Sequence, residues 1–149
     1  MKAQDSIELM LVEDNPQDLE LAMLALLEAN PSIRIHVARD GAEAEDYIFC
    51  EGPYCTRLIT DTPKVILLDL KLPKIDGLDV LKRIKGDPRT RLIPVVVLTS
   101  SKEQNDVIES YQLGVNSYIV KPVNFERFSD AVRNIGLYWE ALNQPPKVV

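Results

Sequence analysis

Five side chains able to do chemistry together stand where aliphatic runs end. Asp69 closes "VILLD", Glu13 and Asp14 follow "IELMLV", Thr99 lies near the end of "VVVLTS", and Lys121 follows "VNSYIV". An ionised carboxylate at the edge of an apolar run is costly unless pairing, hydrogen bonding or a metal compensates it. Three carboxylates in one place repel, so protons or a cation must neutralise them. A donor set of oxygens suits a hard divalent ion. Asp14, Asp69, Glu13 and a backbone carbonyl in the loop after Asp69, that of Lys71, would leave several waters in place, which fits Mg²⁺ better than an all-protein Ca²⁺ cage. Zinc lacks its ligands here. With an ammonium and a hydroxyl added, the set is equipment for covalent phosphoryl transfer. Asp69 attacks phosphorus, Mg²⁺ and Lys121 neutralise the transferring oxygens, and Thr99 donates a hydrogen bond to one of them. Taken singly, the same residues also read as a helix-capping loop, a solvated strand end and a packed β-branched side chain.

These residues meet only if the right elements carry them. Five short aliphatic runs recur, at 7–12, 33–38, 65–69, 95–100 and 115–120. Their length and β-branching predict strands, and the continuous apolarity of three of them predicts a sheet buried on both faces. Helical patterns alternate with them. Leu19, Met23, Leu26 and Leu27 follow an Asn cap and a Pro in "NPQD", as a helix start requires. Shorter patterns run over Ala42–Phe49, Leu78–Ile84 and Val107–Leu113. A last one begins near Asn124 and places Phe125, Phe128, Val132, Ile135 and Trp139 on a core stripe. Strand–helix alternation repeated five times predicts an α/β fold, a flavodoxin-like (βα)5 three-layer sandwich with a parallel sheet of order 2-1-3-4-5. In such a sheet the ligand crevice lies outside the carboxyl ends of the strands, where Glu13, Asp14, Asp69, Thr99 and Lys121 then converge.

Composition agrees with one globular unit. The chain has 149 residues, 46% hydrophobic and 27% charged, with a net charge of −6. A single domain over 1–149 is expected, with a core from about 6 to 140 and "NQPPKVV" in a tail from 141. The acidic balance and the lack of a basic stripe argue against nucleic acid. No apolar stretch approaches the roughly 20 residues of a membrane span, and a cytoplasmic location is expected. Cys50 and Cys55 read as free thiols, and His36 as an ordinary strand residue. The long connection 51–63 reads as functional or disordered.

Taken together, these motifs resemble the receiver domain of bacterial two-component response regulators over nearly the whole chain. The family's acidic pair is matched by Glu13-Asp14, its D-x-x-x-P-x-x-D-G frame by Asp69, Pro73, Asp76 and Gly77, its Thr or Ser after strand 4 by Thr99, and its Lys-Pro by Lys121-Pro122. The resemblance implies that Asp69 is a phosphoacceptor served by a sensor histidine kinase. It also implies a switch in which the Thr99 hydroxyl moves toward the phosphoryl group while Tyr118 turns inward, read out on the face of the fourth helix, fifth strand and fifth helix. It further implies a Lys121-Pro122 bond that is often cis. The long loop before strand 3, "DPRTRLIPVVVLTSS", "YQLGVNSYIVKPVNFERF" and "YWEALNQPP" resemble the stand-alone regulators that accompany phytochrome-type kinases, some of which pair as homodimers through that same face.

Two positions that flank the path of hydrolytic water in the family, two after Asp69 and two after Thr99, carry Lys71 and Ser101. They leave the phosphoryl lifetime open. Two other functions stay open as well. A Mg²⁺-dependent phosphohydrolase of the haloacid dehalogenase kind also forms an aspartyl phosphate, but it usually needs a second acid where Lys71 stands. A receiver fold used only for protein binding would dispense with phosphate.

Overall fold

Each of the five aliphatic runs folds as a short strand: β1 (Leu9–Val12), β2 (Ile35–Ala38), β3 (Val65–Leu68), β4 (Val95–Thr99) and β5 (Ser117–Val120). In this computed structural model, which describes residues 7–122 and 124–146, they pair in parallel in the order β2-β1-β3-β4-β5. The flavodoxin-like order expected from the alternation is the one observed. The ends of the single-domain expectation, residues 1–6 and 147–149, lie outside the described residues.

Side chains alternate across a strand, so each central strand feeds two cores. Met10, Val12, Ile66, Leu68, Val95 and Val97 face one layer, covered by α2 (Gly41–Ile48) and α3 (Gly77–Gly86). Leu9, Leu11, Val65, Leu67, Val96 and Leu98 face the other, covered by α1 (Pro16–Ala29) and α5 (Phe125–Ile135). The remaining helix, α4 (Gln104–Gln112), lies beside α3 and β5. Burial of each large aliphatic contributes about 1.5–3 kcal/mol, which is why the three central strands are apolar on both faces.

Caps decide where the helices begin. The Asn15 side chain accepts from Asp18 N–H at 3.0 Å, with Pro16 at the first helical position. Asp40 accepts from Glu43 N–H at 2.7 Å, and Asn124 accepts from the Glu126 and Arg127 N–H groups at 2.9 and 3.2 Å.

Several expectations need correction. In α1 the buried face is Leu19, Ala22, Ala25 and Leu26, and Leu27 is exposed, because small alanines let this helix sit close to the sheet. Phe125 is 68% exposed and does not belong to the core stripe of α5, since it stands at the helix start, ahead of the turns that Phe128, Val132 and Ile135 bury. Beyond Ile135 the chain continues as a π-helical segment, Gly136–Leu142. No peptide bond among the described residues is cis, so Lys121-Pro122 is trans. The trans form is the lower in energy by about 0.5–1 kcal/mol, and other bonds already fix Lys121.

The connection 51–63 is packed rather than loose. Arg57 organises it: its guanidinium lies 3.7 Å from the Tyr47 ring centroid and donates to the Tyr47 carbonyl, to the Asp61 carbonyl at 2.9 Å and to Cys50 Sγ at 3.4 Å. Tyr54 packs edge-on against Tyr47 and His36, whose own rings stack 3.8 Å apart. Cys50 and Cys55 are both free thiols.

Candidate functional site

Because the strands are parallel, the residues after β1, β3, β4 and β5 share one rim, and the backbone holds each in place. Glu13 N–H donates to Ala38 O at 3.0 Å, Asp69 N–H to Val12 O at 3.1 Å and Lys121 N–H to Thr99 O at 2.7 Å. The sheet ladder thus runs one step past the strands and carries the candidate side chains with it.

At the centre lies the Lys121 ammonium, 2.6 Å from Glu13 Oε1, 2.9 Å from Asp69 Oδ2 and 2.9 Å from Asp18 Oδ2. Glu13 and Asp69 are buried, at 3% and 5% exposed. Burial, with the Asp69 charge adding to it, pushes the Glu13 carboxyl up to about 7 against the opposing Lys121 hydrogen bond. Burial alone would lower the Lys121 ammonium, but its hydrogen bond with Glu13 and the charges of Glu13 and Asp69 outweigh that, so it is raised. The second Glu13 oxygen accepts from Asn15 N–H at 3.2 Å, and Asp69 Oδ1 accepts from Lys71 N–H at 3.2 Å.

Glu13, Asp14 and Asp69 each offer a carboxylate oxygen within 4.8 Å of the others, and Asp14 is exposed to solvent. An all-oxygen donor set with one ligand open to water fits a hard, partly hydrated divalent cation. The chemistry of the donors therefore agrees with Mg²⁺.

Asp76 and Gly77 shape the loop beneath Asp69. Asp76 caps α3 by accepting from Gly77 N–H at 2.9 Å, and Gly77 N–H donates to Leu70 O at 2.8 Å. A Cβ at Gly77 would lie 2.5 Å from Leu70 Cα and closer still to Asp69 O. Only glycine lets α3 start that close to the end of β3.

Thr99 is fully buried, and its hydroxyl accepts from Ser101 N–H at 3.4 Å. Tyr118 packs half-buried against the core on the α2–α3 side and donates from Oη to Ser101 O at 3.0 Å. Two acids escaped the sequence reading. Asp18 sits in the first turn of α1, three residues after the Asn15 cap, a spacing that puts it at the same rim. Asp106 is buried in α4, where it accepts from Ser101 Oγ at 2.5 Å and pairs with Lys71 Nζ at 3.5 Å; no spacing in the sequence announces it.

Residues 9–133 match the family described as response regulator receiver domain. The chain is 40% identical to the probable methanogenesis regulatory protein FilR2 of Methanothrix harundinacea (strain 6Ac), over 98% of this chain and 92% of that protein. It is 39% identical to the response regulator Rcp1 of Synechocystis sp. (strain ATCC 27184 / PCC 6803 / Kazusa), over 88% of this chain and 87% of that one. The crystal structure of Mn²⁺-bound Rcp1 superposes with a TM-score of 0.87 at 37% identity, covering 94% of this chain and 99% of that chain. The phosphorylated cyanobacterial phytochrome response regulator RcpA superposes equally well, at 0.87 and 40% identity, covering 94% and 98%.

Proposed function

The chain belongs to the response regulator receiver domain family of two-component signalling proteins, and on that premise we propose that Asp69 is its phosphoacceptor, with Glu13, Asp14, Thr99 and Lys121 completing the site. The observation that carries the reading is the Lys121 ammonium, 2.9 Å from Asp69 Oδ2 inside a buried acidic cluster. It restrains Asp69 in one orientation. As an Asp69 oxygen bonds to phosphorus, the donor's P–N bond breaks and the leaving imidazole takes up a proton. Lys121 then faces an added negative charge that it is placed to balance. The Thr99 hydroxyl, which accepts from Ser101 N–H, has its own O–H to donate to a phosphoryl oxygen, and Tyr118, bonded to the same Ser101, senses any movement of Thr99 toward that oxygen. Glu13, Asp14, Asp69 and the Lys71 carbonyl would hold Mg²⁺, which would supply further charge neutralisation there.

The family is a phosphoacceptor signalling module rather than a class of metabolic enzyme; in this reading the chain catalyses only its own phosphorylation and dephosphorylation. A sensor histidine kinase in the cytoplasm is the donor. A phytochrome-like kinase is favoured by the likeness to RcpA. The signalling surface is α4–β5–α5 with Pro122 at its edge. Exposed Ile108, Tyr111 and Phe125 support a homodimer through it.

Incubation with Mg²⁺ and acetyl phosphate, followed by intact mass, tests the reading. Wild type should gain one phosphoryl group and Asp69→Asn none. Turnover of many phosphomonoesters would instead support a phosphohydrolase, a role that Lys71 at the place of the second acid disfavours. No adduct at all would support a binding module.

A further inference from the structure

Asp106 is a buried carboxylate that the phosphoryl-transfer site does not use. In the first turn of α4 it accepts a 2.5 Å hydrogen bond from Ser101 Oγ and pairs with Lys71 Nζ at 3.5 Å. Both partners border the reaction. Lys71 lies two residues after Asp69 and donates its own N–H to Asp69 Oδ1. Ser101 lies two after Thr99, donates its N–H to Thr99 Oγ1, and receives Tyr118 Oη on its carbonyl. Asp106 is thus one residue removed from the phosphoacceptor on one side and from both switch groups on the other.

The pair is unequal in freedom. The Lys71 side chain is 57% exposed and that of Asp106 12%, so the ammonium can swing and the carboxylate cannot follow it. We propose that Asp106 is a positioning residue that holds α4 in its resting register by capturing Lys71, and that a phosphoryl group on Asp69 competes for the ammonium and releases the latch. This rests on Asp69 being the phosphoacceptor. A new anion beside Lys71 offers it an alternative partner. Once the ammonium leaves, Asp106 keeps only the Ser101 hydroxyl, too little for a buried carboxylate. The first turn of α4 and residues 101–103 then shift toward water, which loosens the Ser101 contacts to Thr99 and Tyr118 together. Charge at Asp69 reaches α4 by exchange of one ion-pair partner, a discrete two-state element of the kind that coupling requires.

Hydrogen exchange of residues 101–112, read alongside intact mass, tests this. In wild type, phosphorylation should speed exchange at 104–107 by roughly five-fold or more, the lower range of ordinary coupling between sites. Lys71→Met should show the faster exchange without phosphate. Asp106→Asn should not, because it removes the buried charge together with the latch, and the double variant should fall back to the level of Asp106→Asn, as for two ends of one contact. Acetyl phosphate should then add nothing further in Asp106→Asn. Should Asp106→Asn not fold, Lys71→Met, altered at the surface, carries the same comparison. Additive single effects, or an equal response to phosphorylation in wild type and Asp106→Asn, would overturn the latch while leaving the phosphoacceptor intact. A wild type that takes up no phosphoryl group would remove the phosphoacceptor reading, and the latch with it.

Discussion

At the scale of single residues, the site is a balance of burial against charge. Lys121 stands within 2.9 Å of three carboxylates, and the buried ones, Glu13 and Asp69, would be costly there without it. The same crowding makes one uncharged residue indispensable. Gly77 lets the start of α3 lie against the backbone of Asp69 and Leu70, and neither neighbour is a flexible side-chain tip that could yield. Gly77→Ala should therefore destabilise the protein by about 3 kcal/mol, the upper range for overpacking, as a fall in the urea midpoint without a change in slope. Asp76-Gly77 was visible in the sequence as a motif, but its reason, the approach of two backbones, was not.

At the scale of elements, short-range chemistry sets where helices start and stop. The end of α3 shows this away from the reactive rim. Thr90 Oγ donates to Ile84 O at 2.7 Å, satisfying a carbonyl that the helix leaves open. Asp87 organises the turn, accepting from Arg89 Nε at 3.0 Å, Nη2 at 2.7 Å and the Arg89 N–H at 2.8 Å. These Arg89 bonds hold the Asp87 carboxyl down at about 2, below its ordinary 3.8. A carboxyl lowered on folding adds stability above its unfolded value and loses it as the pH falls through the folded one. Wild type should therefore exceed Asp87→Asn in stability above pH 4, by less than about 1 kcal/mol at this solvent-screened site. The difference should fade between pH 3.8 and 2 in urea titrations at stepped pH. Caps, prolines and aliphatic runs made most of the helices and strands legible. The buried face of α1 was less so, because alanines carry it and hydrophobicity alone points to Leu27. The packing of loop 51–63 was hidden for a related reason: the cation–π contact of Arg57 with Tyr47 links residues whose types carry no periodic signal.

At the scale of the whole molecule, the parallel sheet turns separate segments into one site. Glu13, Asp69, Thr99 and Lys121 come from four different strand ends, and a divalent cation would join Glu13 and Asp14 to Asp69. Binding to the folded state alone stabilises it by mass action, about 2.7 kcal/mol at a hundredfold excess over Kd. Mg²⁺ should raise the thermal midpoint of wild type accordingly, and the combined Glu13→Gln and Asp14→Asn variant should lose most of that rise in a calorimetric titration. The sequence by itself determined the strand–helix alternation, hence the sheet order, and with it the rim on which these residues meet, because periodicity and capping are local properties of the chain. Only the tertiary structure decided that Asp18 joins the cluster, that Lys121-Pro122 is trans and that Asp106 bridges Lys71 to Ser101. Those outcomes depend on distances between side chains far apart in sequence, and burial sets their energies once the two cores have closed.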